Sequence, residues 1–277
     1  MTSTALIPDL VSYAVELASV AGEIALARFG TARSQRKADG SEVTDADLAI
    51  EDMIVRRIAA RYADHGVIGE EAVHDQTRSG DFVEARYWWV VDPLDGTRNY
   101  VRQFPVFATS IAVLEQGRPI VGVIRWHHTG QVFAAAPGMP TTLGGEPVRV
   151  SQRPVDSNLL VGAQLGAHHL TQEVVAPWLS RWAVRNLGAT AVHLALVATG
   201  GLDAAYAQDC RVWDLAAGAL LIEQAGGQCT GLRGEPLFPI DPATCAGTNY
   251  PFLAGGPNAH RTLLEDLQTR ASGGASS

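Results

Sequence analysis

Cysteine is scarce in this chain, with three in 277 residues, Cys210, Cys229 and Cys245. Their number is odd and none are in CxxC spacing, so a disulfide framework is a poor fit. They read as reduced thiols of a cytoplasmic protein. No run of about 18 consecutive apolar residues is found, which predicts no membrane-spanning helix. The first residues, Met1 to Pro8, lack a basic stretch followed by an apolar one, so no signal peptide is expected. Positive charge is in deficit too. The net charge of −8 argues against nucleic acid or an anionic membrane as partner. It does not exclude a phosphorylated small molecule, because a bound cation reverses the local field. HExxH spacing is missing, and the adjacent pairs His127-His128 and His168-His169 cannot easily share one metal. They read as loop or strand-edge histidines. Gly162-x-x-x-Gly166 lacks the glycine spacing and the acidic partner of a dinucleotide fold. No internal repeat is visible.

Apolar residues, at 47%, and 28 glycines describe an ordinary globular chain with enough material for a sizeable core. Helical spacing runs from Pro8 to Phe29, ended by Gly30. Thr31 to Val43, with Lys37, Asp39 and Gly40, reads as a mobile loop or loose hairpin. Thr44-Asp45-Ala46-Asp47 has the form of a capping box for a helix to about Tyr62. A short strand at Val67-Ile68 precedes Gly69-Glu70-Glu71. From Tyr87 to Val150 strands dominate: Val106–Leu114, Pro119–Trp126, Gln131–Ala136 and, after a Gly144-Gly145 hairpin, Val148–Val150. The second half alternates. Strands are expected at Leu159–Ala163, Val184–Asn186, Asp203–Tyr206 and Thr244–Thr248. Helices are expected at Thr171–Ser180, Thr190–Thr199, Trp213–Ala225 and Asn258–Leu267. This divides the chain into an α+β unit over 1–150, an α/β unit over 151–270 and a disordered tail over 271–277.

The richest segment is Trp88-Trp89-Val90-Val91-Asp92-Pro93-Leu94-Asp95-Gly96-Thr97. An apolar run meets two carboxylates three residues apart, then a Gly and a Thr able to open a helix. Pro93 cannot donate a ladder hydrogen bond, so the strand is expected to stop there. Paired carboxylates suit Mg²⁺, which shares substrate phosphate oxygens, and Gly96 allows a phosphate close to the backbone. A plain strand-to-helix turn would use the same residues for geometry and capping. Asp47 in a first helical turn, Glu70 after a strand and Asp214 after Trp213 are placed alike, where elements end and side chains can converge. Each has a structural alternative: a capping box for Asp47, a solvated acid for Glu70, a helix-dipole partner for Asp214. Gathered together, these acids would repel. Two like charges about 4 Å apart cost roughly 4 kcal/mol at an effective dielectric near 20, so convergence demands cations or raised pKa values.

At this point the chain resembles the inositol monophosphatase family, Mg²⁺-dependent, lithium-sensitive phosphomonoesterases related to fructose-1,6-bisphosphatase. The resemblance rests on Val43-Thr44-x-x-Asp47, Gly69-Glu70-Glu71, Asp92-Pro-Leu-Asp-Gly-Thr97-x-Asn99, Gly188-Ala189-Thr190, Leu196 to Ala204 and Trp213-Asp214-x-Ala216-Ala217-Gly218, in that order over nearly the whole chain. It implies a layered αβαβα sandwich, usually a homodimer, acting on a small phosphorylated substrate with two or three Mg²⁺ ions. It implies that Glu70, Asp92 and the Leu94 carbonyl hold one ion, that Asp92, Asp95 and Asp214 hold a second, and that Glu70 orients a third or its water. It implies that Thr97, paired with Asp47, polarises the attacking water, and that Gly96 and Thr97 N–H groups cradle phosphate. Gly188, Ala189 and Thr190 would floor the alcohol site, and Asp95 and Asp214 would bind substrate as well as metal. The position where many relatives carry an alcohol-binding Glu is Ala207 here. Inositol monophosphate-like, histidinol phosphate, sugar bisphosphate and 3′-phosphonucleotide substrates all stay open, as does a catalytically silent regulatory homologue. Gln208 and Asp209 are possible substitutes for that Glu, and Arg185 and Arg211 candidates to meet extra negative charge.

Overall fold

The computed structural model describes residues 3–37, 40–71, 85–164 and 169–273. Asp39, Gly166 and His168 lie outside them, as does the tail from residue 274. The first helix, α1 (Ser3–Arg28), starts earlier than Pro8. Leu10, Ala14, Leu17, Ala18, Ala21 and Ala25 recur at helical spacing on it and are all fully buried. Leu6–Arg28 also has the length and apolar composition of a membrane span, which corrects the expectation drawn from uninterrupted runs. Asp9 and Glu16 interrupt the run without making the helix polar on average. They pair with Arg61 and Arg57 on the neighbouring helix, so α1 is packed here as a core helix.

The connection after α1 is a paired hairpin, β1 (Ser34–Arg36) and β2 (Glu42–Thr44). It feeds α2 (Asp45–Arg61), whose capping box between Thr44 and Asp47 is formed as expected. A seven-stranded sheet follows in simple order: β3 (Gly66–Gly69), β4 (Tyr87–Asp95), β5 (Ala108–Glu115), β6 (Arg118–Trp126), β7 (Gln131–Ala136), β8 (Met139–Leu143) and β9 (Glu146–Pro147). The β3–β4 pair is parallel and the rest antiparallel. All nine residues of β4 are buried. Tyr87, Trp89 and Val91 face the core under α1 and α2, whereas Trp88 and Val90 face the other side. A strand covered on both faces reads as one apolar run.

The other complete helices among the described residues are α3 (Thr97–Val101), α4 (His169–Leu179), α5 (Thr190–Ala198), α6 (Val212–Gln224) and α7 (Pro257–Gly273). The remaining strands are β10 (Leu160–Gln164), β11 (Ala183–Arg185), β12 (Ala204–Ala207), β13 (Gln228–Thr230) and β14 (Phe252–Gly255), in the order β11-β10-β12-β14-β13. Residues of α5 and α6 share one core with both sheets. Small residues bring these layers together: a Cβ at Gly122 of β6 would lie 2.6 Å from the Ala217 carbonyl of α6. On the far side, Val175 and Trp178 of α4 and Leu263 of α7 pack on Val161 and Tyr206 of the small sheet. The layers are therefore α1/α2, large sheet, α5/α6, small sheet, α4/α7, the expected αβαβα sandwich.

Several boundaries differ from expectation. Thr244–Thr248 is not a strand but holds a 3₁₀ turn, Cys245–Gly247. Val148–Val150 is not a strand either, and β9 lies just before it. β8 was hidden by Pro140, and β13 and β14 are too short to show a periodicity. α7 continues to Gly273, so the tail expected to be disordered from Ala271 begins as helix.

Candidate active site

Pro93 does not end β4. Asp92 pairs with Ser110 and Asp95 with Ala108, so Pro93 and Leu94 lie opposite Thr109 alone. The bulge accommodates a proline, which has no N–H to donate to the ladder, and re-aims the side chains that follow. The Leu94 N–H donates to Asp92 Oδ1 (2.9 Å), and the Thr109 hydroxyl donates to the Pro93 carbonyl (2.7 Å). Gly96 then turns the chain at φ +90°, where a Cβ would lie 2.8 Å from the Val106 carbonyl. Only glycine suits both demands. The Asn99 amide donates to the carbonyls of Val106 (2.7 Å) and Leu187 (2.8 Å), which ties α3 to the loop carrying Gly188.

Asp95 reaches across to the second half of the chain. Its two oxygens accept from the N–H groups of Thr190 (3.0 Å) and Ala191 (2.8 Å). The N-cap residue of α5 is Ala189, which has no side-chain acceptor, so Asp95 caps this helix from 95 positions away. Asp214 lies in the first turn of α6 and accepts from the Arg211 N–H (2.9 Å). The Ser110 hydroxyl donates to the Trp213 carbonyl (3.0 Å). Since Ser110 is also the ladder partner of Asp92, it fixes Asp214 relative to the bulge. Ligand oxygens of Asp92, Asp95 and Asp214 consequently all lie within 4.8 Å of one another.

Beside this trio, Asp47 resolves its two possible roles by dividing its oxygens. Oδ2 accepts from the Thr44 N–H (2.9 Å) and the Thr44 hydroxyl, completing the capping box. Oδ1 lies 3.0 Å from the Thr97 hydroxyl, which is also 3.1 Å from the Leu94 carbonyl. The hydroxyl has one proton and can serve only one acceptor at a time. Glu70 opens a helical turn after β3, where Lys37 Nζ is 3.2 Å from it and 2.7 Å from Glu71. Lys37 stays charged: burial lowers its pKa, but Glu70 and Glu71 outweigh that and raise it.

Burial comes first among the causes that perturb these acids. Asp92 and Asp95 are raised well above the usual carboxylate range, by burial and then by neighbouring carboxylates. Asp214 is raised to about 6, by burial and then Glu70. Asp47 is raised to about 6 by burial, against the lowering effect of its Thr44 and Thr97 hydrogen bonds. Glu71 is raised to about 8, by burial and then Glu70. Two buried carboxylates and a half-buried third, mutually repelling, are the donor set a hard divalent cation takes, and a cation would remove the repulsion. The residues present fit such an ion.

The other candidates are placed as follows. Gly188 (φ +72°), Ala189 and Thr190 adjoin the Asp95 cap. Arg185 is exposed and its guanidinium donates to the Val184 carbonyl, while that of Arg211 donates to the Gly247 carbonyl. Gln208 accepts from the Tyr206 hydroxyl, and its carbonyl accepts from Asn249. His127 and His128 lie in the turn directly after β6, as expected; His127 is buried against the Thr109 hydroxyl and His128 is exposed. All three cysteines are free.

Sequence reasoning missed Ser110, Thr109, the ion-pairing role of Lys37, and Gln164. The last stands at the end of β10, directly beside Ala207 of β12 in a parallel pair. Paired residues face the same way, here toward α5 with Ala207. The Gln164 Oε1 is buried and has no hydrogen-bond partner. α4 and α5 connect β10 to β11 and β11 to β12 on opposite faces of the sheet. β10 and β12 are therefore the strands between which the connections diverge, the usual place for a ligand in such sheets, and the α5 N-terminus capped by Asp95 lies at the same edge.

Known proteins match this chain throughout. A model of the inositol monophosphatase family covers residues 8–270. Human inositol monophosphatase 1 is 30% identical over 252 residues, covering 87% of this chain and 90% of that protein. Nus factor SuhB of Xylella fastidiosa is 32% identical over 247 residues, covering 85% and 87%. Among solved structures, an inositol monophosphatase from Anabaena superposes with a TM-score of 0.78 at 27% identity, covering 95% and 96%. With that extent of match, the chain belongs to the inositol monophosphatase family, a family of phosphatases.

Proposed function

We propose that the chain is a Mg²⁺-dependent phosphomonoesterase that hydrolyses a small phosphorylated alcohol, inositol monophosphate-like, by direct attack of water. The observation that carries this reading is the meeting of Asp92, Asp95 and Asp214 within 4.8 Å beside the Asp47–Thr97 hydrogen bond. Two or three Mg²⁺ ions, held by Glu70, Asp92, the Leu94 carbonyl, Asp95 and Asp214, would stabilise phosphoryl charge and lower the pKa of water in the site.

The chain's own residues do the rest. With its proton directed at Asp47 Oδ1, the Thr97 oxygen presents lone pairs that accept from the attacking water and orient it. Asp47 then holds the proton that the hydroxyl passes on. N–H groups at Gly96 and Thr97, at the start of α3, bind the phosphate oxygens. Gly188, Ala189 and Thr190 floor the alcohol, with Gln164 offering an unpaired amide oxygen beside Ala207.

A panel of inositol, histidinol, sugar and nucleotide phosphates, each assayed with Mg²⁺ and with EDTA, tests the reading. Histidinol phosphate, a sugar bisphosphate or a 3′-phosphonucleotide as the preferred substrate would keep the mechanism and change the name. Lithium added to the best pair, and the mass of the chain in solution, test the lithium inhibition and homodimer that belong to this reading. A catalytically silent regulator is the second reading, favoured by the SuhB relatives. Absence of Mg²⁺-dependent release from every member, and from a generic aryl phosphate, would select it.

A further inference from the structure

Thr109 and His127 lie outside the set of acids and the Asp47–Thr97 pair, yet both are buried and both bear on the bulge. Thr109 Oγ1 is 2.7 Å from the Pro93 carbonyl and 2.9 Å from His127 Nε2. A carbonyl only accepts, so the one hydroxyl proton of Thr109 points at Pro93. His127 must then donate from Nε2, and its Nδ1 carries the lone pair. That Nδ1 is buried and has no hydrogen-bond partner, as this tautomer allows. Burial, with Arg125 adding to it, lowers the His127 pKa to about 3, so the ring is neutral and the tautomer does not change near neutral pH. Thr109 faces Pro93 and Leu94 across the register shift. Its side chain is thus the donor that the buried Pro93 carbonyl has at the one point where the ladder is interrupted.

We propose that Thr109 and His127 are positioning residues for the divalent-ion site. A one-way hydrogen-bonded chain, from His127 Nε2–H to Thr109 Oγ1 and from its hydroxyl to the Pro93 carbonyl, sets the bulge that aims Asp92, Leu94 and Asp95 at a shared cation. The proposal rests on the reading of those three residues as ion ligands. The Pro93 carbonyl is held by Thr109, while the next carbonyl, that of Leu94, lies 3.1 Å from the Thr97 hydroxyl. The chain is anchored from behind by α1. A Cβ at Gly22 would come within 2.9 Å of His127 Nδ1 and 2.4 Å of Arg125 Nε, and Arg125 also donates to the Ser19 hydroxyl (3.2 Å). The glycine leaves room for both side chains beneath the helix.

The test is Mn²⁺ binding by calorimetry on the full chain without substrate, well below the unfolding temperature, for the parent, Thr109→Val, Thr109→Ser, His127→Gln and His127→Asn. Groups that orient metal ligands typically change affinity by about 10–100-fold when lost. Thr109→Val is expected to weaken binding at least about tenfold, and Thr109→Ser to stay within about twofold. His127→Gln, whose amide reaches the Nε2 position, should bind more tightly than His127→Asn, whose amide reaches only Nδ1. The histidine pair decides the matter if Thr109→Val does not fold. Equal affinity in the valine variant and the parent, or no difference between Gln and Asn at 127, overturns the positioning role while leaving the ion site intact. A parent chain that binds no Mn²⁺ overturns both.

Discussion

The carboxylate of Asp95 accepts from the Thr190 N–H at 3.0 Å and so caps a helix that begins in the other half of the chain. One residue thereby serves the fold and the site together. The helix N-terminus stabilises a buried anion that its neighbours Asp214 and Glu70 disfavour. The anion in turn fixes where α5 starts and where the alcohol floor lies.

Replacing Asp95 by Ala should therefore cost stability as well as chemistry. Both helical N–H groups then lose their acceptor, whereas Asp95→Asn keeps one acceptor and removes the same charge. Loss of a cap costs about 0.5–2 kcal/mol, visible as an unfolding midpoint lower for the Ala variant than for the Asn variant. Equal midpoints in the two variants would contradict the capping role.

Asp92→Asn is expected to behave in the opposite way in the ion-free protein. Asp92 is destabilised as an anion by burial and by Glu70, Asp95 and Asp214, so removing its charge should leave the fold as stable or more so at pH 7. Turnover with Mg²⁺ should fall by at least about a thousandfold, the scale of several kcal/mol of lost transition-state stabilisation. Asp214→Asn should lose turnover on the same scale. Near-normal rates in either variant would contradict the ligand assignment.

The pH dependence of stability follows from the same shifts. Asp47 and Asp214 are raised to about 6 in the folded chain from the usual aspartate value of about 3.9, and Asp92 and Asp95 are also raised. The folded state binds more protons than the unfolded one, so their contribution to stability is full below the unfolded pKa and is lost as pH rises through the folded one. With EDTA, the melting temperature should drop between about pH 4 and pH 7 relative to a variant lacking these acids. Mg²⁺ competes with the protons and should raise the melting temperature more at the upper end of that range. A larger Mg²⁺ effect at the lower end would contradict this.

Thr97→Ala removes the hydroxyl between Asp47 and the proposed water. General-base contributions of this kind amount to about 10²–10⁴-fold, and the loss should appear in kcat with KM little changed. Thr97→Ser should recover most of it. A change confined to KM would instead make Thr97 a binding residue.

Much of this was legible in the sequence because local patterns happened to be the functional ones. The capping box at Thr44 and Asp47 and the apolar run ending at Asp92 are written in consecutive residues. β13 and β14 were not, since Gln228–Thr230 and Phe252–Gly255 are set by their ladder partners rather than by any period of their own. The same holds in the site. Ser110 and Thr109 look like ordinary strand residues, and only the bulge that Pro93 imposes reveals what each hydroxyl reaches. Gln164 is next to Ala207 through pairing of two parallel strands 43 residues apart. Its replacement by Leu should shift the ratio of kcat/KM between polyol and nucleotide phosphates by at least about tenfold, below the about 10⁴–10⁵-fold that a site built to bond a hydroxyl can reach.

The decisive measurement is anomalous diffraction from crystals of this chain grown with Mn²⁺. The account predicts peaks between the carboxylates of Asp92, Asp95 and Asp214, with the Leu94 carbonyl and Glu70 also in contact with an ion. Mn²⁺ bound only elsewhere, or those carboxylates closed on one another with no peak between them at saturating Mn²⁺, would contradict it.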